Sequence, residues 1–228
     1  MDNIHNEFVL DLWNTKDELI RIVEGQLKNM FLFETSIAPY IDEALKRAGY
    51  CFSKINSTYY HSKKEKSHVL FSPYQSGQYA QFLYYLSHIA YKCGNIELAE
   101  KVYYLNKSLN SVEWFYEVNL PNVFYADHPI GCVLGRAKYG DFFMASQGCT
   151  VGNNHDVYPI LGDNVVMHPY SMVIGNSHIG NFVEISAYAF IRDEDIPDCC
   201  IVFGMSPNLS VVEKSREEMM KRVSIFIR

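Results

Sequence analysis

From Val133 onward one spacing recurs: Val133, Tyr139, Ala145 and Val151 stand six residues apart, and after a single interruption Leu161, Met167, Val173, Ile179, Ile185 and Ile191 do the same. Four residues beyond each leading position come Ala137, Phe143 and Cys149, then Val165, Ser171, Ser177, Val183 and Ala189, all small or apolar. A hexapeptide unit cannot bury its own apolar edge and must stack on its neighbours, which is the signature of a parallel β-helix. Alternating antiparallel strands also fit an even period, but so many leading positions held in one phase argue against them. Gly140, Gly152, Gly162 and Gly180 directly follow leading residues, where a tight turn between short strands favours glycine. The interruption is a step of ten between Val151 and Leu161, so about four residues around Asn153-Asn154-His155-Asp156 must leave the coil as a loop. Loops that break a regular scaffold are where binding groups tend to sit.

The preceding 110 or so residues read as helical. Thr15 stands three residues before Glu18, the spacing of a capping box, and Leu19, Ile20, Val23, Leu27, Met30 and Phe31 follow at helical spacing. Gln78 to Tyr91 carries a broad apolar face that ends at Cys93-Gly94-Asn95, and Ile96 to Leu109 forms a second helix, so the two make an antiparallel hairpin. This half is expected to be a packing domain without chemistry. The fold class is therefore α+β: an α-helical domain over 1–112, a parallel β-helix over 113–209 and a C-terminal helix over 210–228.

The net charge of -6 and the single short basic run Lys63-Lys64-Glu65-Lys66, read as a solvated loop, exclude a nucleic-acid reader. The acidic opening Met1-Asp2-Asn3-Ile4-His5-Asn6-Glu7 lacks the features of a signal peptide, and no apolar stretch is long enough to enter a membrane, so the expected location is cytoplasmic. The six cysteines show no zinc spacing and are expected to be buried apolar residues rather than disulfides.

Three segments resemble a known group: Asp127-His128-Pro129-Ile130-Gly131, Gln147-Gly148-Cys149-Thr150-Val151-Gly152, and Asp195-Ile196-Pro197 with Val202-Phe203-Gly204-Met205-Ser206-Pro207. Together they are similar to the serine acetyltransferase-like branch of the hexapeptide-repeat acyltransferases, and Tyr103-Tyr104-Leu105-Asn106-Lys107 extends the likeness loosely into the helical half. The resemblance implies a three-sided left-handed coil, a homotrimer or dimer of trimers, acetyl-CoA as co-substrate in the groove between neighbouring β-helices, and transfer to an acceptor hydroxyl. No metal is expected.

Moving an acetyl group to an alcohol needs a base, because a neutral hydroxyl is a poor nucleophile. The resemblance gives that role to His128. Asp127 precedes it; strand alternation would point the two to opposite faces, and the resemblance implies that Asp127 meets the acceptor instead. The resemblance implies that the partner orienting the imidazole comes from shortly upstream, where Glu117 and Asn119 stand; Glu117, which keeps a carboxylate, suits the chemistry better. In the loop, Asp156 and Tyr158 are the expected acceptor contacts. The family's Arg and His before the loop proline are here Val157 and Tyr158. Valine cannot pair with a carboxylate, which favours a sugar hydroxyl beside L-serine as the acceptor. For acetyl-CoA the resemblance indicates Gly152, Ala187, Gly204 and Ser206, with Lys214, Arg216 and Lys221 either near its phosphate or on a solvated helix face. Cys132 and Cys149 fall at packing positions, not at a nucleophile's. Two other readings are a zinc site of the γ-carbonic anhydrase kind on His155, His168 and His178, and a non-catalytic β-helix scaffold.

Overall fold

The computed structural model describes residues 8–32, 34–63 and 67–227; the opening segment through Glu7 and Lys64-Glu65-Lys66 of the basic run lie outside the described residues. The chain divides into two units, one up to Asn110 with Ile227 at the far end of the chain, the other Ser111–Phe226.

Among the described residues the first unit holds four helices, α1 (Lys16–Met30), α2 (Ala38–Ser53), α3 (Ser76–Lys92) and α4 (Ile96–Asn110). Thr15 caps α1 as expected: its hydroxyl accepts from the Glu18 N–H, and the Glu18 carboxylate accepts from the Thr15 N–H at 2.9 Å. Both are donors that the helix itself leaves without partners. The α3 helix is buried on nearly every side and packs against both α2 and α4, so it is the core of this unit. Two features escape the periodicity. One is α2, opened by a proline in its first turn. The other is a parallel pair of short strands, Val9–Leu12 with His68–Phe71, joined across a sequence distance that leaves no local trace.

The second unit is a parallel β-helix of three faces. Phe124–Asp127, Phe143–Ser146, Val166–Met167, Val183–Ile185 and the start of Cys200–Met205 form the first face. Val133–Leu134, Thr150–Gly152, Met172–Ile174 and Phe190–Arg192 form the second, and Lys138–Tyr139, Ile160–Leu161, His178–Ile179 and Asp195–Ile196 the third. Each strand pairs with the one a full coil away. Leading residues therefore stack in columns, Ala145 on Met167 on Ile185 and Val151 on Val173 on Ile191, all buried.

Three expectations need correction. In the first coil Leu134, not Val133, stands in register with Val151 and is the buried residue, so the step from it to Tyr139 is one residue short of the repeat. Gly140 and Gly162 do not serve turns. A Cβ on Gly140 would lie 2.4 Å from the carbonyl carbon of Gly162, and one on Gly162 2.8 Å from that of Gly180, so they are there because stacked coils touch. The turn positions with positive φ include other glycines, Gly131, Gly148 and Gly175, and also carry Phe142, Asn164, Tyr170, Phe182, Tyr188 and Cys199.

The third correction concerns the C-terminus. Asn208–Glu213 is a strand that folds back antiparallel on Cys200–Met205 and covers the last open edge of the coil. Helix α5 is only Arg216–Arg222, started by a second capping box between Ser215 and Glu218. It lies on the outside of the first face: Arg222 meets Glu184, the Arg216 guanidinium sits 4.6 Å from the Phe182 ring, and Phe226 just beyond meets Phe142 edge-on. All six cysteines are free thiols; Cys51, Cys132, Cys149 and Cys200 are buried as expected, but Cys93 is exposed and Cys199 half-buried.

Candidate active site

Where the first face bends into the second, four turns lie one above another. Each closes with a hydrogen bond from its fourth residue to its first, Cys132 N to Pro129 O, Cys149 N to Ser146 O, Ser171 N to His168 O and Ala189 N to Ser186 O. The third residue of each has positive φ, as a type II turn requires: Gly131, Gly148, Tyr170 and Tyr188. Successive turns are tied by Gly148 N to Ile130 O, Tyr170 N to Gln147 O and Tyr188 N to Pro169 O. His128 leads directly into the lowest of them.

His128 itself has φ +48, so the strand alternation ends at Asp127. That removes the argument for opposite faces: Asp127 Oδ1 lies 3.8 Å from His128 Nε2, and the imidazole is 84% exposed. The Tyr125 hydroxyl donates to the same Oδ1 at 3.1 Å. Burial, with the Asp127 charge beside it, pushes the Tyr125 phenol well above its ordinary range, so it remains a donor and holds Asp127 in place. The Glu117 carboxylate accepts a hydrogen bond from Arg136 Nη2 at 2.9 Å. Asn119 is exposed.

The loop after Gly152 is a tight hairpin. Asn154 and Val157 exchange both backbone hydrogen bonds, and His155 and Asp156 between them have positive φ, the geometry of a two-residue reverse turn. Asn154 Nδ2 donates to Asp193 Oδ2 at 2.8 Å, tying the loop to a point two coils further along. Asp156, Val157 and Tyr158 are all exposed on it.

The positions expected for acetyl-CoA fall into two places. Ala187 and Gly204 stand at the corner between the first and second faces, on the same edge as His128, and both are exposed. Gly152 stands at the far edge of the second face, beside the loop, and Ser206 lies three coils further on, against Phe190–Arg192. Open space surrounds the site of a Gly152 Cβ, and Ser206 Oγ accepts from Arg192 N at 2.9 Å. Lys221 is paired with Glu217 at 2.9 Å and Lys214 lies 4.0 Å from Glu218, both within α5 and its lead-in. Burial raises the thiols of Cys132 and Cys149, which keeps them protonated and poor nucleophiles. His178 is held by Asp195 and His168 by Glu184, and among the described residues no three histidine, cysteine or acidic side chains come together as a metal site.

Sequence reasoning read His168 only as a zinc ligand and missed the group it joins. His168 Nε2 lies 3.0 Å from Glu184 Oε1, and Arg222 of α5 clasps the same carboxylate through Nε and Nη2. Only the register reveals the group, since its members come from three separate segments. Glu184 is 12% exposed. Burial alone would raise its carboxyl, but hydrogen bonds from His168 and Arg222 and their charge outweigh that and hold it at about 2, against an ordinary 4.5. A carboxyl depressed in the folded state stabilises it above the unfolded value and loses that contribution as pH falls through the folded one. Glu184→Gln is therefore expected to cost up to about 3 kcal/mol in urea melts near neutral pH and almost nothing at about pH 2, the difference vanishing across that interval. A cost that does not change with pH would show that the clasp is not held by charge.

No protein-family model matches the chain. It is 25% identical over 146 residues to a serine acetyltransferase of Staphylococcus epidermidis, covering 62% of this chain and 68% of that one. Among solved structures it is similar to a serine acetyltransferase in complex with cysteine, with a TM-score of 0.68 and 16% identity over 91% of this chain and 83% of the other. A serine acetyltransferase from Brucella abortus in complex with coenzyme A gives a TM-score of 0.56 and 15% identity over 87% and 75%. At such identities the solved structures speak to the fold.

Proposed function

We propose that this chain, similar in sequence and fold to the serine acetyltransferases, is an acetyl-CoA-dependent O-acetyltransferase in which His128 is the general base. The observation that carries the reading is the Asp127-His128 pair at the foot of the stacked turns, on a β-helix of the kind the relatives share. A neutral imidazole takes the proton from the acceptor hydroxyl as its oxygen attacks the thioester carbonyl, and returns that proton to the departing sulfur. The high exposure of His128 leaves it free to meet both partners. Asp127, steadied by Tyr125, favours the imidazolium formed between the two steps.

In a single chain His128 and the loop bearing Asp156 and Tyr158 stand at opposite edges of the second face. Copies packed side by side bring one edge against the other, which supports a homotrimer with acetyl-CoA in the seam, lined by Gly152, Ala187, Gly204 and Ser206; paired trimers extend the same scheme. Among the described residues no helix is long and apolar enough to cross a membrane, and we place the enzyme in the cytoplasm.

For the acceptor, Asp156 and Tyr158 are the proposed contacts. Exposed Val157 and Tyr158 offer no cation for a carboxylate, which favours a sugar hydroxyl over L-serine. Thiol release from acetyl-CoA, measured with L-serine, nucleotide sugars and oligosaccharides, is expected to be fastest with a sugar. Release confined to L-serine would reverse the acceptor assignment, and no release with any acceptor, with acetyl-CoA left unbound in calorimetry, would leave the scaffold reading.

A further inference from the structure

Two columns of side chains face outward on the second face of the β-helix. One runs Val133, Thr150, Met172, Phe190 and Met205, uncharged throughout, with both methionines exposed. The other runs Gly152, Ile174 and Arg192, so a glycine with open space around it gives way to a cation two coils further along. Ser206 joins the tops of the two columns: its N–H donates to Phe190 O at 2.8 Å, and its hydroxyl accepts from Arg192 N at 2.9 Å.

Arg192 is the arginine of this unit that the fold leaves available. Arg136 is held by Glu117, Arg222 by Glu184, and Arg216 lies on the Phe182 ring. Arg192 is exposed, its guanidinium carbon lies 6.0 Å from the centre of the Phe190 ring, and among the described residues it pairs with no carboxylate. The acid next to it in sequence, Asp193, is engaged elsewhere, accepting from Asn154 Nδ2 and from Asn176 N, both at 2.8 Å. A guanidinium backed by a ring and left without a counter-ion suits a phosphate, whose oxygens it can meet two at a time. Lys214 and Lys221, by contrast, belong to the segment on the outside of the first face, where Glu218 and Glu217 stand by them.

We propose that Arg192 anchors a phosphate group of acetyl-CoA, so that the site favours CoA over donors that end at the pantetheine arm. The inference rests on the acetyltransferase reading and deepens it. Val133, which follows the His128 turn, lies three coils before Phe190, a step of about 14 Å along the axis at about 4.8 Å per coil. Acetyl-CoA has its parts in the same order: a thioester at one end, a neutral arm of amides and methylene groups, then phosphates. With the thioester at His128 and the arm extended along the seam, the negative charge arrives at the level of Arg192 and Ser206. Arg192 comes from the copy that contributes Gly152 and Ser206 to that seam, and the uncharged column beside it holds no rival cation.

Calorimetry with CoA and with pantetheine, which lacks the phosphates, tests it without an acceptor. The parent is expected to bind CoA more tightly than pantetheine, and Arg192→Gln to reduce the ratio of the two affinities about tenfold. Arg192→Lys keeps the charge but not the paired donors, so its ratio should fall between the two. The hydrogen bond from Arg192 to Ser206 uses the backbone, so these variants should melt like the parent. A CoA affinity within about twofold of the parent in Arg192→Gln, equal weakening of CoA and pantetheine, or the same loss produced by Lys214→Gln or Lys221→Gln instead would each overturn the proposal. So would binding of UDP-glucose that depends on Arg192 while binding of CoA does not, which would give the cation to a phosphate of the acceptor. CoA bound equally well by the parent and Arg192→Gln would sink the phosphate anchor alone, whereas a parent that binds no CoA would sink the acetyltransferase reading with it.

Discussion

His128→Ala is expected to lower kcat/KM for thiol release by about 10²- to 10⁴-fold, the usual worth of a positioned proton acceptor. The loss should fall on the chemical step, because the exposed imidazole is packed against nothing whose removal would open a cavity. Its positive φ introduces one complication, since alanine tolerates that conformation less well than histidine or asparagine. His128→Asn keeps the backbone preference and removes the base, so both variants should melt like the parent, bind acetyl-CoA with unchanged affinity and lose activity alike. Activity within a few-fold of the parent in His128→Asn would remove His128 from the mechanism. Asp127→Asn should cost much less, because at 3.8 Å the carboxylate helps by charge rather than by a hydrogen bond.

The β-helix was legible because a repeat announces itself: each coil places the same kind of residue at the same place, and Met167, Val173 and Ile185 occupy the columns the period assigns. What the period could not resolve was a one-residue slip. Val133 and Leu134 are both apolar, and only pairing with Val151 shows which of them faces inward. In the helical half, caps and apolar spacing revealed α1, α3 and α4. The parallel partnership of Val9–Leu12 with His68–Phe71 rests on two segments too short and too distant to identify each other.

The candidate site was legible only where chemistry follows the chain. Asp127 and His128 are adjacent, and Asp156 and Tyr158 share a loop, so residue type and likeness sufficed to name them. Glu117 was named from its place upstream and its carboxylate, and its partner Arg136 comes from a segment that no local pattern links to it. The clasp of His168, Glu184 and Arg222 joins residues 16 and 38 positions apart across coil and helix, a relation that no local pattern encodes. Strand alternation misdirected the reading of Asp127 because the strand ends there, and a residue with positive φ swings the next side chain round.

Glycine is where sequence reading and structure disagree most usefully, and Gly140→Ala is expected to destabilise the β-helix by about 3 kcal/mol or more. The added methyl would meet the carbonyl carbon of Gly162 at 2.4 Å, its oxygen at 2.5 Å and Asp163 Oδ1 at 2.5 Å. Two of the three are backbone atoms of the neighbouring coil, which cannot move aside without stretching the parallel ladder between Lys138–Tyr139 and Ile160–Leu161. The turn interpretation makes a different forecast. A glycine retained for positive φ accepts asparagine at small cost, as Asn164 illustrates with φ +60 in this coil. Gly140→Asn separates the two: close stacking predicts a loss at least as large as for alanine, whereas a turn role predicts near-neutrality in urea melts followed by circular dichroism. Gly25→Ala supplies the opposite sign, because nothing lies within 4 Å of its Cβ position inside α1. There alanine should add about 0.5–1 kcal/mol through helix propensity alone. A Gly140→Asn protein as stable as the parent would show that the coils can part at this column, and that their contact is not what keeps glycine there.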